Sequence, residues 1–571
     1  MKGDTISAPR HVDGTATRSV YQVYLASFQD SNGDGIGDLP GLTSRLDYIA
    51  TLGVDAIWVS PGFPSPWQDG GYDITDFYGV HPRFGTMTDL ADMIDQAHCR
   101  NLEVMADLVI NHTSSEHEWF KKALQSPPGS KARDFYHFAD GRGPEQNQPP
   151  NDWISAFGGS AWTRTIDPDG KPGQWYLHLF SASQPDLNWT NRHVEHEIHE
   201  AIRFWLSQGV DGFRIDAASA LSKEPGLPNA GFSPGDNFCP ESWEDSPLWD
   251  HHKVHDVLSG LRKVCDESAR HIFLLGEVTT ATKKRFATYL RPGELDSAFD
   301  RKFLQATWDC REFRDAIDAH QLSYPQACWT LESHDEVRSA TRLAAEPSSH
   351  SGSRAASSTK SCTRKAGDSS FDISGTPRAR AAALLMLALP GLTCIYQGQE
   401  LGLPQVATPA LPPDNDAVLA DPAHERLGCR VPIPWDGDAP PFGFTTPPAT
   451  PWLPQPHNWS TLTVTHQSSQ PLSTLEMFRQ AALLRNDLPE LRSPSFAWIE
   501  IDEPDLLAFA RSDRFRCVTN FSTKAVKLDW QVRIVATSST NANQRLAQND
   551  EHATLVIDPD TTVWIYHHTA T

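Results

Sequence analysis

A (β/α)₈ barrel, α/β in class, with an inserted subdomain after its third strand and an all-β C-terminal domain, is the fold this sequence predicts. Three observations carry that expectation. Apolar runs of strand length alternate with helical patterns, as in a parallel sheet. Eight such runs can be counted, at 20–28, 56–60, 103–108, 212–216, 272–277, 298–303, 328–332 and 392–396. Four of them deliver polar groups where the run stops: Asp107-Leu-Val-Ile-Asn-His112, Gly212-Phe-Arg-Ile-Asp216, Leu274-Leu-Gly-Glu277 and Glu332-Ser-His-Asp335. All strands of a barrel are parallel and their C-terminal ends share one face, so these distant residues can converge there.

Between the third and fourth runs, residues 112–188 are rich in Gly, Pro, Asp, Asn and Trp. The stretch is too long for a loop and reads as a subdomain laid over the barrel mouth. A smaller insertion follows the fourth run, from Lys223 to Trp249. Together they would narrow an open groove to a pocket. Residues 344–376 are Ser-rich and of low complexity, the composition of a flexible surface loop. Residues 439–456 form a Pro-rich connector, and from Leu491 onward alternating runs such as Leu506-Leu-Ala-Phe-Ala510 read as strands. The expected layout is a barrel in two parts, 1–111 and 189–475, around the inserted subdomain 112–188, followed by a β-sandwich at 476–571.

At 571 residues the chain exceeds the size at which one core stops growing. Its 39% hydrophobic content, with 18 Trp and 26 Phe, supplies a large core and excludes a disordered protein. The net charge of −23 argues against nucleic acid or an anionic membrane surface as partner, and leaves a neutral ligand as the expectation. Nine scattered cysteines without CxxC spacing suit a reduced, cytoplasmic protein. The polar first twenty residues carry no signal-peptide pattern, and the apolar run 379–390 is too short to span a bilayer.

The order DLVINH, GFRIDAAS, LLGEV, ESHDEVR resembles the α-amylase superfamily of retaining glycoside hydrolases. Gln184-Pro-Asp-Leu-Asn-Trp189, Gly71-Tyr-Asp-Ile74, Gly398-Gln-Glu-Leu-Gly402 and Arg430-Val-Pro-Ile-Pro-Trp435 are similar to its oligo-1,6-glucosidase and α-glucosidase branch. The resemblance implies an exo-acting α-glucosidase on short oligosaccharides, monomeric or a small homo-oligomer, with no cofactor in catalysis. An oligo-1,6-glucosidase, a glucosyl-transferring or isomerising relative such as a trehalose synthase, and a non-catalytic binding barrel are the alternatives. Two departures are visible: Ser333 stands where the family commonly has Asn, and Gln399 where Glu is frequent.

Retaining chemistry needs a nucleophilic carboxylate and an acid/base carboxyl about 5–5.5 Å apart. Asp216 follows Arg214 by two residues, so both lie on one strand face and the arginine can keep the carboxylate ionised as nucleophile. Glu277 closes an apolar strand, and partial desolvation would fit it to donate a proton. The resemblance gives Asp335 the sugar's 2- and 3-hydroxyls, and makes His112 and His334 donors to the same sugar. Asp73, with Arg430 or Arg426, resembles the pair that clamps the terminal glucose. Phe157 and Phe180 are candidate pocket aromatics, and Ala217, directly after the nucleophile, stands where α-1,6-cutting relatives typically carry Val.

The run 30–38 offers oxygens at alternate positions: Asp30, Asn32, Asp34, the Ile36 carbonyl and Asp38. That spacing matches an EF-hand-like loop, yet it follows a strand and has Gly41 where the bidentate Glu would stand. A single structural Ca²⁺ or Mg²⁺ is the expectation.

Overall fold

The structure is a computed structural model that describes residues 18–233, 235–299, 301–320, 326–344, 374–407, 424–541 and 554–567. Most of the expected Ser-rich loop lies outside the described residues.

Eight parallel strands form the central sheet: β1 (Ser19–Val23), β2 (Ala56–Val59), β3 (Glu103–Leu108), β7 (Gly212–Ile215), β8 (Phe273–Glu277), β9 (Ser297–Phe299), β10 (Cys328–Thr330) and β11 (Leu392–Tyr396). Their order, β10-β11-β1-β2-β3-β7-β8-β9, follows the sequence around a ring, and a parallel bridge from Ala298 to Ala327 joins the two ends. The fold is the expected (β/α)₈ barrel. Five runs end sooner than the sequence suggested, two of them by four or more residues. The first turns into a 3₁₀ helix at Leu25–Ser27, and the sixth gives way to the helix Arg301–Gln305.

Strand alternation sorts side chains into two cores. Val20, Ala56, Trp58, Met105, Phe273, Leu275, Phe299, Cys328, Leu392 and Cys394 fill the inside of the barrel. Their neighbours, such as Tyr21, Ile57, Val104, Phe213 and Leu274, point outward into the larger core shared with the helices. The outer helices show the corresponding stripe: Arg192–Ser207 buries Val194, Ile198, Ala201, Ile202 and Trp205. Thr376–Ala388 is the exception, buried on nearly every side because more than the barrel packs on it.

That further layer is the C-terminal β unit. Strands β12 (Ala497–Trp498), β13 (Leu506–Ala510), β14 (Phe515–Asn520), β15 (Val526–Thr537), β16 (Thr554–Ile557) and β17 (Thr561–His567) pair antiparallel in the order β12-β13-β14-β17-β15-β16. Trp564 Nε1 donates to the Leu384 carbonyl at 3.0 Å and Thr562 Oγ1 to the Ala381 carbonyl at 2.8 Å, tying β17 to the buried helix. The helix Thr474–Asp487 packs on the same helix, and Arg485 within it donates to the Gly391 carbonyl at 2.8 Å.

Between β3 and β7 a small antiparallel sheet, β4 (Phe138–Ala139), β6 (Pro172–Leu177) and β5 (Trp162–Ile166), stands on the C-terminal side of the barrel. Bridges His112–Asp186 and Tyr136–Leu187 sew its two ends together. Trp153, Trp162, Leu177 and Leu179 from this region form one apolar cluster with Ala217, Leu248 and Trp249. The insertions after β3 and β7 therefore meet above the barrel.

Candidate active site

Inward positions at the C-terminal ends of β3, β7 and β8 are Asp107, Arg214 and Glu277. Asp107 and Glu277 each stand one alternation beyond an apolar barrel residue, Met105 and Leu275, and Arg214 one beyond Gly212. Gly276 precedes Glu277, and a Cβ there would press on the Leu295 side chain and force it to shift. Arg214 is almost wholly buried, with Trp58, Phe299 and Tyr72 ring centroids 5.0, 5.7 and 5.9 Å from its guanidinium carbon. Its Nη1 donates to Asp216 Oδ1 at 2.6 Å and to Asp107 Oδ1 at 3.0 Å, and its Nη2 donates to Glu277 Oε2. Asp107 Oδ2 accepts from Trp58 Nε1 and from the Tyr72 hydroxyl, both at 3.0 Å.

One fixed positive charge thus faces three carboxyls. Burial pushes Asp216 well above the ordinary carboxylate range; Arg214 opposes that push, while Glu277 and Asp107 add to it. Asp107 is raised by burial and pulled back by Arg214 in the same way. Asp107 and Asp216 are buried and Glu277 half-buried, so one guanidinium serves more acids than it carries charge.

Asp335 stands across the pocket on the segment after β10. Its Oδ1 accepts from Arg430 Nη2 at 2.8 Å and from Arg426 Nη1 at 2.9 Å, and its Oδ2 lies 3.2 Å from His334 Nε2. Burial alone would raise this carboxyl, but His334, Arg426, Arg430 and Arg214 together hold it well below the usual range. Burial presses His334 down to about 3, so its ring is neutral at neutral pH. Tyr72 and Tyr24 stack on that ring at 5.2 and 5.9 Å, and Gln22 Nε2 lies 2.7 Å from its Nδ1.

Asp73 does not clamp an arginine, which corrects the sequence-based expectation. Its Oδ1 accepts from Ser65 Oγ at 2.7 Å and from the Asp69 N–H at 3.2 Å, and its Oδ2 from the Gln68 N–H at 3.0 Å. Fully buried, it holds the 65–73 loop together, and burial raises it to about 6. The acid that meets an arginine is Asp69, whose Oδ1 accepts from Arg426 Nη2 at 2.8 Å and whose Oδ2 accepts from Gln184 Nε2 at 2.8 Å. The reason is the turn between them: Gly70 and Gly71, at φ 58° and 103°, reverse the chain so that residue 69 faces the site and residue 73 turns inward. Arg430 and Arg426 both take part, and both reach Asp335.

The remaining expected residues gather around these groups. His112 is buried, with Nε2 3.2 Å from the Tyr72 carbonyl and Phe180 5.3 Å away between ring centroids. Phe180 meets Phe157 edge-on at 5.9 Å, and Arg426 lies 5.7 Å from the Phe157 centroid. Ala217 takes a left-handed conformation, φ 42°, with its N–H 3.5 Å from Glu277 Oε2. Sequence reading missed Asp69, Tyr72, Trp58 and Gln184 as site residues. Tyr72 and Gln184 lay inside motifs already noted in the sequence, and Asp69, four positions before Asp73 in Asp-Gly-Gly-Tyr-Asp, carried a signal in the form of the glycine pair.

The 30–38 loop lies apart from these groups. Asp30 accepts from the N–H groups of Asn32, Gly33 and Gly35 at 2.7–3.0 Å, Asn32 Oδ1 from Asp34 N–H at 2.9 Å, and Asp34 Oδ1 from Ile36 N–H at 2.8 Å. Asp38 accepts from Gly41 N–H, capping the helix Leu39–Ser44, and from Ser31. The loop carries hard oxygen donors, the kind a divalent cation takes, and in this structure they accept N–H groups of the same loop and of Gly41. Elsewhere among the described residues, Asp245, His251 and His252 bring three potential ligand atoms within 4.8 Å of one another. His251, however, already engages Glu224 Oε2 at 2.6 Å and Ser222 Oγ at 3.3 Å.

Residues 22–493 match the family model described as "Alpha amylase, catalytic domain". The chain belongs to the α-amylase family. It is 35% identical over 545 residues to a probable alpha-glucosidase of Rhizobium meliloti, covering 89% of each chain. It is 32% identical over 550 residues to an oligo-1,6-glucosidase of Parageobacillus thermoglucosidasius, covering 88% of this chain and 90% of that one. Among solved structures, an alpha-glucosyl transfer enzyme, XgtA, superposes with a TM-score of 0.78 at 32% identity over 96% of this chain and 99% of its own. The trehalulose synthase MutB superposes equally well, 0.78 at 28% identity, over 96% and 99%. The protein is therefore a glycoside hydrolase of the α-amylase family, and no helix among its described residues is long and apolar enough to cross a membrane.

The two aspartates of the 65–73 loop separate by experiment. Asp69→Asn should raise KM for an α-glucoside about tenfold or more through loss of a charge-assisted pair, with melting temperature almost unmoved. Asp73→Asn should instead lower the melting temperature, because its second oxygen becomes a donor facing the Gln68 N–H. The opposite pattern, in Michaelis–Menten and melting measurements, would restore Asp73 as the clamp.

Proposed function

We propose that this enzyme is an exo-acting, retaining α-glucosidase that releases glucose from the non-reducing end of maltose and short malto-oligosaccharides. The hold of one guanidinium on two carboxyls, Asp216 and Glu277, carries the reading. Two groups bonded to adjacent nitrogens of Arg214 can stand only a few ångströms apart. That suits a retaining site, at about 5–5.5 Å, better than an inverting one, at about 6.5–9.5 Å.

Asp216 attacks the anomeric carbon as Glu277 protonates the departing oxygen; Glu277 then deprotonates the water that releases glucose from Asp216. Asp69, Asp107, Asp216, Glu277 and Asp335 face Arg214, Arg426 and Arg430, leaving two surplus negative charges. One can be met by the proton of the acid, the other by positive charge developing on the sugar. The Asp69–Arg426–Asp335–Arg430 group closes one wall with paired charges suited to adjacent hydroxyls of a terminal glucose, and Phe157 and Phe180 line the approach. Likeness to a glucosyl transfer enzyme and to a trehalulose synthase favours transfer to a second sugar as the other reading. A product-resolved assay on maltose separates glucose from a new disaccharide.

Asp216→Asn should cost orders of magnitude in turnover with the fold kept; more than about a tenth of wild-type turnover would remove the nucleophile's role from it. Glu277→Gln should hurt poor leaving groups most and spare activated aryl glucosides in the first step, with azide rescuing the second. Equal losses and no azide rescue would place the acid elsewhere.

Linkage preference is α-1,4 over α-1,6. Ala217 borders both Glu277 and the Trp162–Trp249 cluster, so its side chain limits the space beside the departing sugar. Maltose should exceed isomaltose in kcat/KM by roughly 10- to 200-fold, the range one or two methyl groups deliver. Ala217→Val should shift the ratio toward isomaltose. The ratio is the readout, because a β-branched residue at this φ also lowers absolute activity through strain. Isomaltose preferred by the wild type would overturn the assignment.

A structural divalent cation, Ca²⁺ or Mg²⁺, in the 30–38 loop belongs to the same reading, supported by the oxygen donor set. Chelation should lower the melting temperature and re-addition restore it by mass action. An unmoved melting point, with no metal by elemental analysis, would leave a polar turn alone.

A further inference from the structure

Lys223 is buried among groups that touch no substrate, and its position has a consequence for one that does. Its Nζ donates to Asn111 Oδ1 at 2.7 Å and to the Ala220 carbonyl at 2.5 Å, and pairs with Asp186 Oδ2 at 2.7 Å. All of Lys223, Asn111, Asp186 and His112 are nearly inaccessible to solvent. An ammonium has donors and no acceptor, so the Asn111 atom facing it must be the carbonyl oxygen. The amide nitrogen of Asn111 therefore points the other way, to His112 Nδ1 at 3.2 Å.

His112 receives a second N–H on its other side, where Gln184 Nε2 lies 3.1 Å from His112 Nε2. A neutral imidazole has a single lone pair to offer, so the two amides compete for its tautomer. Lys223 holds the oxygen of Asn111, and the Ser181 N–H holds that of Gln184 at 3.1 Å, whose nitrogen has Asp69 as its acceptor, so neither amide can turn. The Tyr72 carbonyl, an acceptor 3.2 Å from Nε2, decides between them. Nδ1 is then the acceptor, and Nε2 carries the proton toward the Tyr72 carbonyl, on the ring edge that adjoins Gln184 and its partner Asp69.

We propose that Lys223 is a positioning residue that, through Asn111, locks His112 as the Nε2–H tautomer and so presents a hydrogen-bond donor to the sugar. This rests on the glucosidase reading of the pocket. The same contact explains why an acid of the Gln184-Pro-Asp-Leu-Asn-Trp189 segment and a lysine after β7 are buried together: each supplies the other's charge, and the pair delivers a fixed donor to His112.

Asn111→Asp is the discriminating variant. It preserves shape and the bond to Lys223 but places an acceptor on His112 Nδ1, which reverses the polarity of the relay. kcat/KM on p-nitrophenyl α-glucoside should fall about 10- to 100-fold, with melting temperature within a few degrees of wild type. The loss should shrink as pH falls, because His112 facing a carboxylate protonates more readily and the imidazolium carries Nε2–H again. In a His112→Ala background the same substitution should cost less than about twofold. If Asn111→Asp does not fold, Lys223→Met with Asp186→Asn removes both charges together and should give the same kinetic loss, again dependent on His112. Wild-type kinetics and an unshifted pH profile in the variant would overturn the relay while leaving the glucosidase reading intact, as would an equal loss with and without His112. A wild-type enzyme inactive on every α-glucoside tested would overturn the reading of the pocket and this inference with it.

Discussion

A single buried guanidinium organises this molecule's chemistry. Arg214 lies inside the barrel against Trp58, Phe299 and Tyr72, where an isolated charge could not remain without strong partners. Its partners, Asp107, Asp216 and Glu277, arrive on three neighbouring strands. Removing the guanidinium would strand the charge of its acids, and breaking a buried pair from one side costs about 3–5 kcal/mol. The cluster is therefore a structural keystone of the strand ends as well as a reaction centre. Its geometry also keeps two carboxyls close together despite their repulsion, since each is bonded to the same cation.

The pocket is completed by pieces that do not belong to the barrel's regular repeat. Asp69 comes from the connection after β2, His112 and Gln184 from the two ends of the insertion after β3, and Arg426 and Arg430 from the segment after β11. Each is tied to another: Arg426 joins Asp69 to Asp335, Gln184 joins Asp69 to His112, and Lys223 joins the insertions after β3 and β7. Side chains held by several partners lose little further freedom when substrate arrives, which is the condition for recognising adjacent hydroxyls. The C-terminal β unit works at a distance, burying the helix Thr376–Ala388 whose following strand, β11, lies between β10 and β1 in the barrel.

By itself the sequence determined the barrel, the approximate place of all eight strands, and the polar groups at their ends. Those features are local: period-two alternation sets which side chains face inward, and an apolar run ending in Asp or Glu puts that acid at the mouth. Arg214 and Asp216 were legible for that reason, being two residues apart on one strand, and Glu277 because its strand ends on it. The strand limits were less legible. Tyr24 to Phe28 is apolar enough to continue β1, yet the chain turns there because residue 26 must accept from Gly37 and residue 29 from Asp38.

Only the tertiary structure decided which acid meets which arginine. Asp69 and Asp73 are equally plausible by composition, and a pair of glycines at positive φ chose between them by reversing the chain. The sequence favoured Arg430 over Arg426, whereas in the fold both bind Asp335 because a carboxylate accepts from two guanidiniums at once. The tautomer of His112 lay further still from the sequence, since it depends on Lys223, a residue more than a hundred positions away that it never touches. Pattern and propensity act between neighbours in sequence, whereas charge pairing and hydrogen-bond polarity act between neighbours in space, and the second set exists only once the first has folded the chain.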